Sequence, residues 1–194
     1  MSRKGTFYVE NINPKNYQTK PIVIINGTGG CGKNTFVNMF DENAAHISMV
    51  DIVRELITKM GLTSNTKDEN YRRFMHSFKR ALEDYNDLPF QSVMCDIQRL
   101  MMDPNVPFIF IDMREPADVA RIEKIYDIFT VLVHNPRVAD ISTNYADASV
   151  YDISYDYIIE NDGDLEKLRE SAETLQNEIT KKWNIVSALR NWRN

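Results

Sequence analysis

The residues with the clearest chemical meaning form one glycine-rich segment, Gly27-Thr28-Gly29-Gly30-Cys31-Gly32-Lys33-Asn34-Thr35. The segment matches the pattern GxxxxGK and follows the apolar run PIVIIN, which is typical of a buried strand. Glycines let successive backbone N–H groups surround an anion that also faces the N-terminus of the next helix. We call residues 27–35 the phosphate loop and expect all nine to bind ATP. Lys33 would neutralise the β- and γ-phosphate oxygens, and we interpret Cys31 as a small loop residue rather than a nucleophile.

Two carboxylates are expected at the same edge of a sheet as this loop. Asp51 follows the predicted strand HISMV and would act as a base or orient a phosphoryl acceptor; the alternative is the N-cap of the next helix. Asp112 follows the apolar residues FIFI, as a magnesium-binding aspartate does; the alternative is a turn at the end of the strand. Thr35 and Asp112 together form the predicted Mg²⁺ site.

Two arginines follow later strands. Arg114 comes just before Pro116 and is suited to bidentate contact with a phosphate, whereas the alternative is a surface pair with Glu115. Arg137 lies in the polar segment 135–150, where a lid would close over the phosphates. The predicted catalytic residues are Lys33, Asp51, Arg114 and Arg137.

Further cations lie on a helix predicted for residues 68–85. A seven-residue offset aligns Arg72 with Lys79 and Arg73 with Arg80, so one pair could bind the phosphate of an acceptor. The alternative is a charged face in contact with water. The predicted acceptor-binding residues are Asp51, Arg72, Arg73, Arg80 and Arg114.

Alternating apolar and amphipathic segments predict the elements that position these residues. Predicted strands cover residues 21–26, 46–50, 107–111, 128–133 and 155–159, and predicted helices cover 34–40, 51–60, 68–85, 89–102, 116–126 and a long segment after Gly163. This alternation implies a parallel sheet covered by helices on both faces, with ligands at the carboxyl ends of the strands. Residues 63–67 are predicted as a loop, and residues 1–20 as an N-terminal arm or edge strand before a domain spanning 21–194.

Composition limits the classes of partner. With 194 residues and 43% hydrophobic content, the chain can bury one core. Its net charge of -5 argues against binding of nucleic-acid polymers or acidic membranes. The two cysteines do not suggest a disulfide framework, and the N-terminus lacks the apolar stretch of a signal peptide. We therefore expect a cytoplasmic protein, outside the membrane, that is a monomer or homodimer and binds a small nucleotide.

Four motifs carry a family resemblance: GTGGCGKNT at Gly27, ISMVDIVREL around Asp51, FIFIDMREP at Phe108 and YDYIIENDGDLEKL from Tyr155. With them the chain resembles the P-loop nucleoside and nucleotide kinases, in particular phage-type deoxynucleoside-monophosphate kinases and dephospho-coenzyme A kinases. Asn34 stands where most P-loop proteins have the Ser or Thr that meets magnesium, and Thr35 follows it. This GKNT ending is similar to that of small-molecule kinases and unlike that of GTPases.

The resemblance implies an α/β protein with a three-layer α/β/α P-loop kinase fold, a mostly parallel five-stranded sheet of order 2-3-1-4-5 and a small lid. It also implies that ATP with Mg²⁺ is the donor, that the loop around Asn161 lies beside the adenine, and that the acceptor is a (deoxy)nucleoside monophosphate. Two alternatives stay open. The chain could resemble dephospho-coenzyme A kinase in its activity, or it could be a non-catalytic ATP-binding regulatory protein.

Overall fold

A computed structural model describes residues 14–62, 68–138 and 149–193. Strands alternate with α-helices along most of these ranges, and short 3₁₀ turns occur at Pro14–Tyr17 and Ser149–Asp152. The elements are β1 (Ile22–Asn26), α1 (Lys33–Phe40), β2 (Ala45–Ser48), α2 (Asp51–Lys59), α3 (Glu69–Asn86), α4 (Leu88–Met102), β3 (Ile109–Asp112), α5 (Pro116–Ile125), β4 (Ile128–His134), β5 (Tyr157–Glu160) and α6 (Leu165–Arg193).

The strands form one parallel sheet in the order β2-β3-β1-β4-β5. Ile25 of β1 is in register with Asp112 of β3 on one side and with Val131 of β4 on the other. The carboxyl ends of these strands therefore meet at one edge of the sheet. This arrangement confirms the predicted fold class and strand order.

Helices cover both faces of the sheet, so the central strand is buried on both sides. Val23 and Ile25 face a core shared with α1 and α6, whereas Ile22 and Ile24 face a core shared with α4 and α5. All five β1 residues are buried. On the first face, the Phe40 ring contacts the Phe108 and Phe110 rings edge-on, with centroid distances of 5.0 and 4.9 Å. Burial of these rings, together with the aliphatic side chains of both cores, stabilises the packing of the layers.

The second strand is shorter than predicted. The prediction that it continues to Val50 is wrong, because β2 ends at Ser48 and the chain turns before α2 begins at Asp51. The Asp51 carboxylate accepts a hydrogen bond from the Ser48 backbone N–H at 2.7 Å, which stabilises this turn. The residue just before the helix is Val50, so Asp51 lies in the first helical turn rather than at the capping position.

Helix α3 forms as its periodicity predicts, but none of its residues is buried. Asp68 caps it by accepting a hydrogen bond from the Asn70 N–H at 2.9 Å. The Phe74 and Phe78 rings stack on each other with a centroid distance of 5.9 Å, and 39% of Phe74 is exposed. The apolar stripe of α3 is thus only partly covered by its neighbours α2 and α4.

The start and the end of the described chain are joined at the opposite edge of the sheet. Gln18 donates to the Asp127 carbonyl at 2.8 Å and accepts from the Asp127 N–H at 2.8 Å. Arg190 of α6 donates to the Gln18 carbonyl at 3.0 Å and pairs with the Asp127 carboxylate. Burial opposes ionisation of this carboxyl, but hydrogen bonds from Arg190 and Lys15 outweigh burial and lower the pKa of Asp127 below its usual value.

The predicted arm and loops fall partly outside the described residues. Residues 1–13, the loop at 63–67 and residues 139–148 of the expected lid all lie there. The described part of the arm, residues 14–20, forms a 3₁₀ turn, buries Gln18 and Lys20, and adds no strand to the sheet. None of the helices in the described ranges combines the length and apolar character that crossing a bilayer requires.

The Asp127 cluster makes stability depend on pH. A carboxyl with a lowered folded-state pKa stabilises the fold above its unfolded pKa, and this contribution disappears as the pH falls through the folded pKa. We expect Asp127→Asn to lower the free energy of unfolding by about 1–2 kcal/mol at pH 7. The difference from the wild type should shrink as the pH falls below about 4. Urea unfolding across this range measures it, with Asp84→Asn on the exposed side of α3 as the control. If the difference in the free energy of unfolding between wild type and Asp127→Asn stayed constant with pH, the pKa of Asp127 would not be lowered in the folded state.

Candidate functional site

A cavity of about 550 Å³ opens at the carboxyl ends of β1, β2 and β3. Its size suits a small ligand. The phosphate loop forms one wall, and β2, α2 and the end of β3 form the others. The lining residues are Gly29, Gly30, Cys31, Gly32, Lys33, Asn34, Thr35, His46, Ile47, Ser48, Asp51, Arg54, Asp112 and Arg114. The structure thus brings together Lys33, Asp51, Asp112 and Arg114, which belong to three different sequence motifs.

The phosphate loop has a backbone path that only glycine adopts easily. Gly27, Gly30 and Gly32 have φ angles of 144°, 87° and 103°. A Cβ atom on Gly27 would lie 2.4 Å from the Val133 carbonyl oxygen, which belongs to the neighbouring strand. The loop therefore passes close to the end of β4 as it leaves β1.

Lys33 is the first residue of α1, and its side chain folds back over the phosphate loop. The residue is 7% exposed, and its ammonium donates to the Gly27 carbonyl at 2.7 Å and more weakly to the Thr28 carbonyl at 3.5 Å. The Cys31 N–H also donates to the Thr28 carbonyl, at 3.2 Å. These bonds hold the lysine charge at the centre of the loop.

Asn26 anchors the phosphate loop to the end of the neighbouring strand β3, a role that was not predicted from the sequence. Its buried side-chain amide donates to the Met113 carbonyl at 3.1 Å, and its Oδ1 accepts from the Gly27 N–H at 3.0 Å. One side chain therefore fixes the start of the phosphate loop relative to Asp112 and Arg114. The available signal was a polar residue at the end of an otherwise apolar buried run.

Cys31 is fully buried inside the loop. Burial raises the pKa of the Cys31 thiol, and the nearby Lys33 charge only partly opposes this effect. The thiol is therefore protonated at neutral pH, which agrees with its interpretation as a small loop residue.

The wall opposite the phosphate loop carries paired charges. Asp51 Oδ1 lies 3.1 Å from the Arg54 guanidinium, one turn later on α2. Asp112 Oδ1 lies 3.8 Å from Arg114 Nε, and both of these side chains are largely shielded from solvent. Each carboxylate is thus accompanied by a cation, which lets the two carboxylates lie near an anionic ligand.

Four residues of this wall were not predicted: His46, Ile47, Ser48 and Arg54. His46 and Ser48 alternate along β2, and a two-residue period places them on one side of the strand. Arg54 follows Asp51 by three residues, which are neighbouring positions on a helix. Both spacings were visible in the sequence, but neither indicated which side of the element faces the cavity.

Other predicted residues lie outside the cavity lining. Arg72, Arg73 and Arg80 lie on the exposed surface of α3, where Arg73 donates to Asn70 Oδ1 at 2.6 Å. Arg137 donates to the Asp162 carbonyl across the ends of β4 and β5. Their roles stay predictions.

Asn161 also lies outside the lining, but it contacts the phosphate loop directly. Its side-chain amide donates to the Cys31 carbonyl at 2.8 Å. The remaining predicted ATP contacts, Gly27 and Thr28, are likewise not among the lining residues.

The site suits a hard cation bound with phosphate. Among the described residues, no group of three or more His, Cys, Asp or Glu side chains is placed to hold a metal. Thr35 and Asp112 nevertheless supply an alcohol and a carboxylate oxygen to the same cavity. Mg²⁺ typically takes one or two protein oxygens together with phosphate oxygens and water, so these residues fit it.

The sheet order and the phosphate loop after its central strand define a P-loop kinase fold. Comparison with solved structures supports this assignment at the level of the fold. Dephospho-CoA kinase from Campylobacter jejuni is similar to this chain with a TM-score of 0.51 and 16% identity, over 82% of this chain and 97% of the other. The protein TT1252 from Thermus thermophilus is similar with a TM-score of 0.50 and 15% identity, over 82% and 97%.

No protein-family model matches the chain, and no curated protein does. The kinase fold expected from the four sequence motifs is therefore confirmed by structure alone.

Proposed function

We propose that this protein is an ATP-dependent phosphotransferase that moves the γ-phosphoryl group of MgATP to a small nucleotide-like acceptor, a (deoxy)nucleoside monophosphate. The observation that carries the proposal is the single cavity lined by Lys33, Asp51, Asp112 and Arg114. Phosphoryl transfer needs a cradle for the donor phosphates, cations for the developing charge and a group that orients the acceptor. The residues that line this cavity could supply the cradle, the cations and the orienting group together.

The donor side is the phosphate loop. Its backbone N–H groups and the N-terminus of α1 would bind the β- and γ-phosphates, while Lys33 adds a positive charge among them. On binding, the Lys33 ammonium would exchange its contacts with the Gly27 and Thr28 carbonyls for phosphate oxygens. Arg114 approaches the same volume from β3 and would contact the transferred group.

Thr35 and Asp112 would hold the magnesium ion. The ion, when bound, neutralises phosphate charge during transfer. Asp112 is in register with Ile25 of β1, two residues before the phosphate loop, so the carboxylate would be fixed relative to the donor phosphates. Asn34 replaces the usual hydroxyl residue, and Thr35 is the first hydroxyl on α1.

The acceptor side is the wall formed by β2 and α2. Asp51 is held by the Ser48 N–H and by Arg54, so its carboxylate has a fixed orientation in the cavity. If the acceptor attacks through a phosphate oxygen, Asp51 orients the acceptor without removing a proton. If the acceptor attacks through a hydroxyl, as a dephospho-coenzyme A-like acceptor does, Asp51 also receives the hydroxyl proton.

The proposal is tested by ADP release from MgATP with a panel of nucleoside and deoxynucleoside monophosphates and with dephospho-coenzyme A. We expect one acceptor class to stimulate ADP release. Lys33→Ala should abolish the stimulated rate and raise the Kd for ATP at least about tenfold, because it removes the cation from the loop. Lys59→Ala, on the exposed side of α2, is the matched control and should behave as the wild type. Acceptor-stimulated turnover that survives in Lys33→Ala would exclude this site.

A second variant separates the acceptor side from the donor side. Asp51→Asn keeps an oxygen that can accept from the Ser48 N–H but loses the charge facing the acceptor. We expect kcat to fall about 100-fold with little change in the Kd for ATP. Asp96→Asn is the control, because Asp96 pairs with Arg99 on α4 at the same three-residue spacing but lies outside the cavity. Equal losses of kcat and ATP affinity would contradict the assignment of Asp51 to the acceptor.

A further inference from the structure

Asn161 connects the end of β5 to the middle of the phosphate loop. Its side-chain amide donates to the Cys31 carbonyl at 2.8 Å, across 130 residues of sequence. Its own backbone N–H donates to the His134 carbonyl at 2.7 Å. The sequence resemblance placed Asn161 beside the adenine, whereas the structure gives its amide a partner in the loop that binds phosphate.

The segment that carries Asn161 is held on both sides. His134 Nδ1 and Glu160 Oε2 lie 2.8 Å apart at the ends of β4 and β5, just before Asn161. Immediately after it, the Asp162 carbonyl accepts from Arg137 and the Asp162 carboxylate pairs with Lys167 at 2.5 Å. The Asn161 amide is therefore presented to the loop from a fixed backbone, as a positioning group requires.

The bond to Cys31 determines the orientation of one peptide group. The C=O and N–H of a trans peptide point in opposite directions. Because Asn161 holds the Cys31 carbonyl on its own side, the Gly32 N–H must point away from Asn161. Gly32 lines the cavity and directly precedes Lys33 at the start of α1, so its N–H is placed to meet a phosphate oxygen.

Glycine at position 32 makes this constraint necessary. Gly32 has a φ angle of 103°, and a residue without a side chain can rotate its peptide more freely than any other. A Cβ atom at this position would lie 2.4 Å from Asn161 Nδ2, so the close approach of the amide also requires glycine. Gly32 therefore leaves room for the Asn161 amide, and that amide restricts the rotation of the peptide between Cys31 and Gly32.

We infer that Asn161 is a positioning residue that keeps the Gly32 N–H directed at the nucleotide phosphates, rather than a contact to the nucleotide base. The inference rests on the proposed function, because it needs a phosphate ligand in the loop. The two possible roles of Asn161 differ in the part of the nucleotide that depends on it. A positioning residue affects binding of the phosphates, whereas a base contact affects binding of the base.

The test compares ATP with inorganic tripolyphosphate, which has the phosphates but no base. Calorimetric titrations with Mg²⁺ are made on wild type, Asn161→Ala and Asn161→Asp. Asn161→Ala should weaken both ligands by the same factor, about tenfold, which is the effect of one hydrogen bond of this kind. Asn161→Asp should weaken both further, because a carboxylate would repel the Cys31 carbonyl oxygen. Asn177→Asp, exposed on α6, is the control for the added charge and should bind both ligands as the wild type does.

Loss of ATP binding with unchanged tripolyphosphate binding would overturn the inference in favour of a base contact, and unchanged binding of both ligands would also overturn it. If the wild type bound neither ligand, the proposed function itself would fail.

A second measurement uses only the wild-type protein, so it does not depend on whether the variants fold. In ¹⁵N–¹H NMR spectra, tripolyphosphate should shift the Gly32 amide signal and leave the Asn161 side-chain amide hydrogen-bonded. A Gly32 signal that does not respond to tripolyphosphate would contradict the inference.

Discussion

The candidate site depends on the burial of β1 between two layers of helices. Because all five residues of this strand are enclosed, its carboxyl end cannot move without disturbing both cores. Asn26 transmits this rigidity to its neighbours: it bonds to the Met113 carbonyl on one side and to the Gly27 N–H on the other. The start of the phosphate loop and the chain after β3 therefore share one anchor.

The same edge of the sheet brings three cations and two carboxylates together in an acidic protein. The chain has a net charge of -5, yet the cavity contains Lys33, Arg54 and Arg114. Two of these cations are already accompanied by a carboxylate of the site, so the cavity is polar without being a strong unpaired positive patch. Such an arrangement favours a ligand that brings negative charge together with groups that the carboxylates can bind. A nucleotide with its metal ion meets both requirements.

Much of the fold was readable from the sequence, because buried strands produce apolar runs and the phosphate loop has a rare spacing. The burial of PIVIIN and FIFI follows from their apolar runs, and the parallel sheet follows from the alternation of strands and helices. The strand order came from the family resemblance. The end of β2 was misplaced because Met49 and Val50 are apolar, but a hydrogen bond from Ser48 to Asp51 turns the chain before them. Local apolar character cannot reveal a turn that a side chain stabilises.

The site was less readable, because long-range contacts determine which side chains meet. Lys33, Asp51, Asp112 and Arg114 lie at or shortly after the carboxyl ends of β1, β2 and β3, so the topology alone brings them together. The placement of Arg72 and Arg80 depends on how α3 packs, and that packing involves no fully buried residue of α3. The bond between Asn161 and Cys31 spans 130 residues, and no local pattern could indicate it.

In the proposed reaction, this cavity transfers a phosphoryl group between two bound molecules. The most direct test follows MgATP by ³¹P NMR in the presence of a stimulating nucleoside monophosphate. We expect the γ-phosphate signal to be replaced by the signal of a phosphorylated acceptor, in equal amount to the ADP formed. Release of the γ-phosphate as inorganic phosphate alone, or an ATP spectrum that stays unchanged although ATP is bound, would contradict it.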